Sequence, residues 1–192
     1  MVDTEFEIDI KKCVEVLKTG GIILYPTDTI WGIGCDATND NAVDKVYALK
    51  QRPSEKSMIV LIAEAKDIFK YVAAPPPDII TIVEEFDRPT TVIYENALGL
   101  ASNVVKNDWS IGIRVTNDLF CKALIKRFGK PIVSTSANLS GDLSPSIYKE
   151  INSAIVTGVD YVVRYRQEDV RPAAPSLLIK INDEGSITVL RG

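Results

Sequence analysis

Histidine is missing from this chain of 192 residues. Its absence excludes Ser-His-Asp and Cys-His nucleophilic catalysis, zinc sites built on imidazole, and an imidazole acid or base. Any chemistry must therefore rest on cations, carboxylates, hydroxyl groups and backbone dipoles.

Cysteine and long apolar runs are also scarce. Cys13, Cys35 and Cys121 are far apart and form no CxxC pair, which argues against a disulfide framework or structural zinc and favours a reducing compartment. No apolar run approaches the roughly 20 residues that span a bilayer. The acidic start, MVDTEFEIDI, lacks the features of a secretory signal. We therefore expect a cytoplasmic protein without a membrane partner.

The bulk composition indicates one globular domain. The hydrophobic content of 46% suffices for a sizeable core, so we expect a single domain over residues 1–192. Strand-like apolar runs alternate with helical periodicity, which predicts a mixed α/β fold with about seven strands. The net charge of −4 argues against nonspecific nucleic-acid binding, because that binding depends on a basic face.

A strand that ends in clustered polar side chains is the first candidate site. In PIVSTSANLSG (131–141) the apolar run gives way to Ser134, Ser136 and Asn138. Ligand sites of α/β proteins lie at such strand ends, where hydroxyl, amide and backbone N–H groups converge. The alternative is a turn whose side chains bond to their own backbone.

A cluster of cations is the second candidate site. A helix through about Leu49 runs into Lys50 and Arg52, and Pro53 disfavours the helical conformation for Arg52. The helix should therefore unwind, so that both cations turn toward one ligand, with Lys56 close behind. The alternative is a solvated basic turn that complements the helix dipole.

Two further features bear on the site. Arg114 lies among apolar neighbours in the predicted strand 111–115, so we expect it to be buried against an anion or in a structural ion pair. Ser144-Pro145 has the composition of a helix start and predicts a helix over 146–155.

Several stretches together resemble one protein family. They are YPTDTIWGIGCDA (25–37), the KxR of Lys50–Arg52, GIRV (112–115), STSANLSG (134–141), Pro175-Ser176 and the closing LRG (190–192). In this order they resemble the YrdC-like threonylcarbamoyl-AMP synthases, in the short, single-domain form. The resemblance covers essentially the whole chain.

The resemblance implies a fold and a reaction. The fold is a twisted mixed sheet, flanked by helices, around a concave polar and basic cavity. The activity is that of a nucleotidyltransferase, which condenses L-threonine, bicarbonate or CO₂ and ATP, with Mg²⁺, into threonylcarbamoyl-AMP and pyrophosphate. A downstream transferase then uses the product for the threonylcarbamoyladenosine modification of tRNA.

The resemblance also assigns residues by position. It gives catalytic roles to Lys50 and Arg52 and implies no protein-bound metal. The implied ATP contacts are Lys50, Arg52, Lys56, Ser110, Ser136, Asn138, Ser144 and Arg191. The implied threonine contacts are Thr29, Arg114, Ser134 and Ser176.

Two departures and three alternatives accompany this hypothesis. Trp31 stands where the family usually has tyrosine, and FDRP (86–89) replaces a WPGP-like stretch at the expected cavity rim. The alternatives are an RNA- or tRNA-binding module, an inactive paralogue with the same fold, and the carbamoyl-transfer domain of the far longer hydrogenase-maturation proteins. The intact KxR pattern (Lys50 and Arg52) and SxN pattern (Ser136 and Asn138) favour the synthase.

Overall fold

The computed structural model describes residues 6–53, 58–182 and 186–192. Within these ranges the helices are α1 (Glu7–Lys18), α2 (Asp40–Lys50), α3 (Ile68–Tyr71), α4 (Ile79–Glu84), α5 (Leu119–Phe128) and α6 (Ser153–Gly158). The strands are β1 (Ile23–Tyr25), β2 (Gly32–Gly34), β3 (Ile59–Ile62), β4 (Thr90–Tyr94), β5 (Ile111–Val115), β6 (Ile132–Ser136), β7 (Tyr161–Val162), β8 (Leu177–Ile181) and β9 (Ile187–Arg191). Short 3-10 turns occupy Ala65–Asp67 and Tyr148–Glu150.

One mixed sheet contains all nine of these strands, in the order β7-β1-β2-β6-β3-β5-β4-β8-β9. The pairs β1–β7, β3–β5 and β4–β8 are parallel, and the other neighbours are antiparallel. The predicted mixed α/β fold is confirmed, with nine strands where about seven were expected. The sequence pattern did not indicate β2, because Gly32 and Gly34 leave Ile33 as its one apolar side chain.

The core lies between the sheet and the flanking helices. On α1, the side chains of Ile10, Cys13 and Leu17 recur at helical spacing and are buried, and this face packs against α5 and the sheet. Val60 of β3 and Val133 of β6 are fully buried in the middle of the sheet. The apolar runs of the sequence therefore form the central strands, as strands covered on both faces require. None of the helices within the described ranges has the length and apolar character needed to cross a bilayer.

Helix α2 ends where the sequence predicts. The Asn39 side chain accepts a hydrogen bond from the Ala42 N–H (3.2 Å) and caps its start. Gln51 has a left-handed backbone conformation (φ 49°) and ends the helix. The Arg52 N–H then donates to the Tyr47 carbonyl at 3.0 Å, so the chain turns sharply before Pro53.

The helix predicted over 146–155 is wrong. That segment forms a 3-10 turn, Tyr148–Glu150, and Ile151 is then extended. The side chain of Asn152 accepts a hydrogen bond from the Ala154 N–H (2.9 Å) and starts α6 instead. Because Ser144 caps no helix there, its side chain is available to line a cavity.

Candidate active site

The candidate site is a cavity of about 280 Å³ over one face of the sheet. Four residues in direct register form its floor: Ser134 of β6 pairs with Ile59 of β3, which pairs with Gly112 of β5, which pairs with Ile93 of β4. Directly paired residues share a face of the sheet. A side chain at Gly112 would occupy this floor, because an added Cβ would lie 3.4 Å from Cδ1 of Ile93 and 3.6 Å from Cγ1 of Ile59. The strand register thus creates the cavity, and a glycine keeps it open.

The cavity is lined by cations, with no carboxylate among its described lining residues. The cations are Arg52, Lys106, Arg114 and Arg191. This concentration of positive charge occurs in a chain whose net charge is −4. Positive charge in a concave, partly desolvated surface attracts anions more strongly than the same charge on an open surface. The cavity is therefore suited to a multiply charged anion.

Arg114 is the most buried of the four cations, with 3% of its surface exposed. Its Nη2 lies 3.1 Å from Oδ1 of Asp28. The other Asp28 oxygen accepts hydrogen bonds from the Thr116 hydroxyl (3.2 Å) and the Asn117 N–H (3.3 Å). Asp28 is thus fixed behind Arg114, and the expected structural ion pair is present. Asp28 does not line the cavity, which argues against a role as a base there.

The ion pair leaves part of the Arg114 guanidinium unsatisfied. Its buried Nε has no hydrogen-bond partner among the described residues, and its buried Nη2 meets Oδ1 of Asp28 in an ion-pair contact that lacks hydrogen-bond geometry. A buried donor without a partner costs about 1–3 kcal/mol. A ligand carboxylate that accepts a hydrogen bond from Nε would reduce this cost, because a charge-assisted hydrogen bond is stronger than a neutral one.

All four residues of the predicted threonine set line the same cavity: Thr29, Arg114, Ser134 and Ser176. Thr29 is held by a 2.9 Å hydrogen bond between its hydroxyl and that of Thr27. The hydroxyl of Ser176 lies 2.8 Å from that of Thr91. The backbone carbonyl of Ser176 accepts a hydrogen bond from Nη2 of Arg191 at 3.1 Å. Burial and the nearby charge of Arg114 lower the pKa of Arg191. The guanidinium groups of Arg114 and Arg191 therefore lie close together and line the same part of the cavity.

The predicted ATP set is divided by the structure. Arg52, Ser136, Ser144 and Arg191 line the cavity. Ser110 and Asn138 are buried beside it and are not part of its lining. Asn138 donates through Nδ2 to the carbonyls of Leu139 (2.8 Å) and Asp142 (2.9 Å), and so it shapes the turn after β6. Lys56 lies outside the described residues.

Lys50 and Arg52 do not face one ligand together as the sequence suggested. Arg52 lines the cavity, whereas Lys50 is 1% exposed and points beneath the end of β6. The Lys50 ammonium donates to the carbonyl of Asn138 at 2.6 Å and to that of Ser136. Burial, together with the charge of Arg52, lowers the pKa of Lys50 to about 7. The alternative of a solvated basic turn is therefore wrong for Lys50. Its ammonium instead supports the backbone of Ser136 and Asn138 from below.

Sequence reasoning missed Lys106, whereas Trp31, one of the two departures from the family pattern, is an aromatic residue of the lining. Lys106 is an isolated lysine in a loop, and no pattern in the sequence distinguishes it from other surface lysines. Trp31 lines the cavity and packs against Tyr148, with ring centroids 4.9 Å apart. The departure at 86–89 contributes no side chain to the lining.

A second, larger groove contains none of the predicted site residues. Its volume is about 560 Å³, and Pro75, Pro76 and Pro77 form part of its wall. Its cation, Lys180, pairs with Glu95 at 2.8 Å. Because this charge is balanced, the smaller cationic cavity is the better candidate for a site that binds anions.

The fold and the cavity define a class: a mixed α/β protein with a cationic, hydroxyl-lined ligand site on one face of its sheet. A family model described as "Telomere recombination", which covers Sua5, YciO and YrdC proteins, matches residues 15–192. The chain therefore belongs to this family.

Curated relatives are similar over most of their length. A threonylcarbamoyl-AMP synthase of Pseudoalteromonas translucida is 34% identical over 80% of this chain and 84% of its own. A putative threonylcarbamoyl-AMP synthase of Methanocaldococcus jannaschii is 34% identical over 95% of this chain and 86% of its own.

Solved structures share the fold. P. abyssi Sua5 complexed with L-threonine superposes with a TM-score of 0.84 at 20% identity, over 96% of this chain and 54% of that one. E. coli YciO superposes with a TM-score of 0.81 at 22% identity, over 96% of this chain and 88% of that one. At these identities the likeness supports the fold alone.

Proposed function

We propose that this protein is an L-threonylcarbamoyladenylate synthase. It condenses L-threonine, bicarbonate or CO₂, and ATP into threonylcarbamoyl-AMP and pyrophosphate, for the threonylcarbamoyladenosine modification of tRNA. The observation that carries this proposal is a lining with four cations and no described carboxylate, in which the buried Arg114 keeps a guanidinium donor without a hydrogen-bond partner among the described residues. The names of the curated relatives support it.

The threonine end of the cavity is proposed to be the buried end. Arg114 takes the carboxylate of threonine, because it lines the cavity and its Nε has no hydrogen-bond partner among the described residues. The hydroxyl groups of Thr29, Ser134 and Ser176 then orient the rest of the amino acid. A fixed orientation is a large part of catalysis, because it replaces the entropy lost when reactants meet.

The ATP end is proposed to lie along Arg52, Ser136, Ser144 and Arg191. The neutral threonine amine adds to CO₂ and releases one proton to solvent, which gives a carbamate. A carbamate oxygen then attacks the α-phosphorus, a new P–O bond forms, and the bond to the β-phosphate breaks to release pyrophosphate. Negative charge grows on the adenylyl group in transfer and on the leaving pyrophosphate. The nearby cations stabilise this charge, so the step needs no side-chain base.

Lys50 and Asn138 are proposed to act from behind the site. Lys50 fixes the carbonyls of Ser136 and Asn138, and Asn138 fixes the following turn. They thereby hold the Ser136 hydroxyl toward the nucleotide. Mg²⁺ is proposed to enter as the counter-ion of ATP, since the described lining offers hydroxyl groups and cations. The downstream transferase and tRNA are proposed partners through the product alone.

Release of pyrophosphate tests the proposal. Wild type should release it from ATP with bicarbonate only when L-threonine is present. Arg52→Ala should lower the rate about 10- to 100-fold, because one charged hydrogen bond contributes roughly 1.5–3 kcal/mol. Arg171→Ala is the matched control, since Arg171 is exposed and pairs with Asp169 away from the cavity.

The outcomes separate the alternatives. Release that is independent of threonine, or that Arg52→Ala leaves unchanged, would contradict the proposal. A folded wild type that releases no pyrophosphate but binds RNA in a strongly salt-dependent way would favour the RNA-binding alternative.

A further inference from the structure

The loop before β5 holds a lysine over the cavity. At one end of this loop, the Ser102 N–H donates to Oδ1 of Asp40 at 2.8 Å, and Nδ2 of Asn103 donates to Oδ1 of Asp44 at 2.7 Å. These bonds attach the loop to the first turns of α2. Although the loop has no regular structure, its backbone is anchored on a helix.

The same loop closes in a tight turn around Lys106. The Lys106 N–H donates to the Ser110 carbonyl at 3.0 Å, and the Trp109 N–H donates to the Lys106 carbonyl at 2.8 Å. Trp109 has a left-handed backbone (φ 61°), and Oδ1 of Asp108 accepts from the Ser110 N–H at 3.0 Å. The turn therefore fixes the Cα of Lys106 beside Ser110, which belongs to the predicted ATP set.

The side chain of Lys106 lines the cavity and forms no ion pair or hydrogen bond that involves the described residues. Asp108 is the nearest acidic neighbour in the turn. Hydrogen bonds from Ser110 are the main cause of the lowered pKa of Asp108, and the charge of Lys106 is a smaller one. The Lys106 ammonium thus keeps its donors for a ligand.

We propose that Lys106 binds the terminal phosphates of ATP and the pyrophosphate that leaves; this inference rests on the proposed function. Arg114 and Ser176 are 3% and 2% exposed and mark the buried end of the cavity, whereas Lys106 and Ser144 are exposed and mark its mouth. If threonine occupies the buried end, the triphosphate extends toward the mouth. A lysine ammonium suits that position, because it is a mobile point charge that can follow a phosphate during bond cleavage.

Binding of inorganic pyrophosphate and of AMP to Lys106→Ala tests this role. The dissociation constant for pyrophosphate should rise about tenfold, and that for AMP should stay within about twofold. With substrates, KM for ATP should rise about tenfold while KM for threonine is unchanged. Lys11→Ala, which removes an exposed lysine on α1, should match wild type in all four values.

Two results would overturn the inference. If Lys106 only balances the charge of Asp108 in the turn, Lys106→Ala will lower the melting temperature. It will then also weaken the binding of pyrophosphate, AMP and threonine alike. If it is a solvated surface lysine, no constant will change. Since binding of pyrophosphate and AMP is measured without turnover, it decides the role of Lys106 even if wild type releases no pyrophosphate with threonine and the proposed function fails.

Discussion

Burial of the Lys50 ammonium should make the stability of this protein depend on pH in a way that one substitution removes. The ammonium lies under β6 and donates to two backbone carbonyls. Its pKa in the folded protein is about 7, against 10.5 for an ordinary lysine. Between these two pH values the unfolded chain holds a proton at this position that the folded chain has released.

The sign and size follow from this difference in bound protons. Where the unfolded state binds one more proton, the free energy of unfolding rises with pH by about 1.4 kcal/mol per unit. From pH 7.5 to 9.5 the contribution of Lys50 is therefore an increase of about 2–3 kcal/mol. Below pH 7 both states hold the proton, so the full cost of burying the charge is present there.

Lys50→Met removes this titration and keeps most of the side-chain volume. It leaves two carbonyls without a donor, which costs about 1–3 kcal/mol each, and it removes the cost of a buried charge. These terms oppose one another, so the stability change at a single pH is a weak test. The informative quantity is the difference in unfolding free energy between wild type and variant, measured by urea denaturation at several pH values.

We expect that difference to shift by about 2–3 kcal/mol in favour of wild type between pH 7.5 and 9.5. For Lys11→Met, on the exposed surface of α1, the unfolding free energy should change with pH in the same way as for wild type. Parallel profiles for Lys50→Met and wild type would refute the argument, because they would show that Lys50 has an ordinary pKa in the folded protein.

Two more predictions concern the threonine end of the cavity and the strand beside it. Arg114→Lys keeps the charge but loses the planar fork, so KM for threonine should rise about tenfold or more with KM for ATP nearly unchanged; equal changes in both would contradict the assignment. Gly34→Ala should destabilise the protein by about 1–3 kcal/mol in urea denaturation, because the new Cβ would lie 2.6 Å from the Tyr25 ring and 2.8 Å from the Val133 carbonyl. Gly192→Ala, which meets no atom within 4 Å, is its control and should have no effect.

The motifs of the sequence include most of the polar side chains that line the cavity, and the exceptions have physical reasons. A KxR pattern shows two cations near one helix end, but the direction of each depends on how the helix ends. The left-handed Gln51 sends Arg52 to the cavity and leaves Lys50 on the buried side of α2. The helix expected after Ser144 was wrong, because a later cap, Asn152, takes its place.

What the sequence by itself determined is the set of local structures and the chemistry available to them. Apolar runs form the central strands, α2 ends shortly before Pro53, and the lack of histidine leaves cations and hydroxyl groups to bind a ligand. These properties depend on neighbours in the chain, which a sequence displays directly.

The tertiary structure alone decided which of these groups share one space. The cavity floor is a register between strands far apart in the chain, from Ser134 through Ile59 to Gly112. Other tertiary contacts bring Arg114 of β5 against Asp28, which follows β1, and anchor the loop that carries Lys106 on α2. Such contacts join segments separated by tens of residues, and their geometry is fixed by packing of the whole sheet rather than by any local pattern.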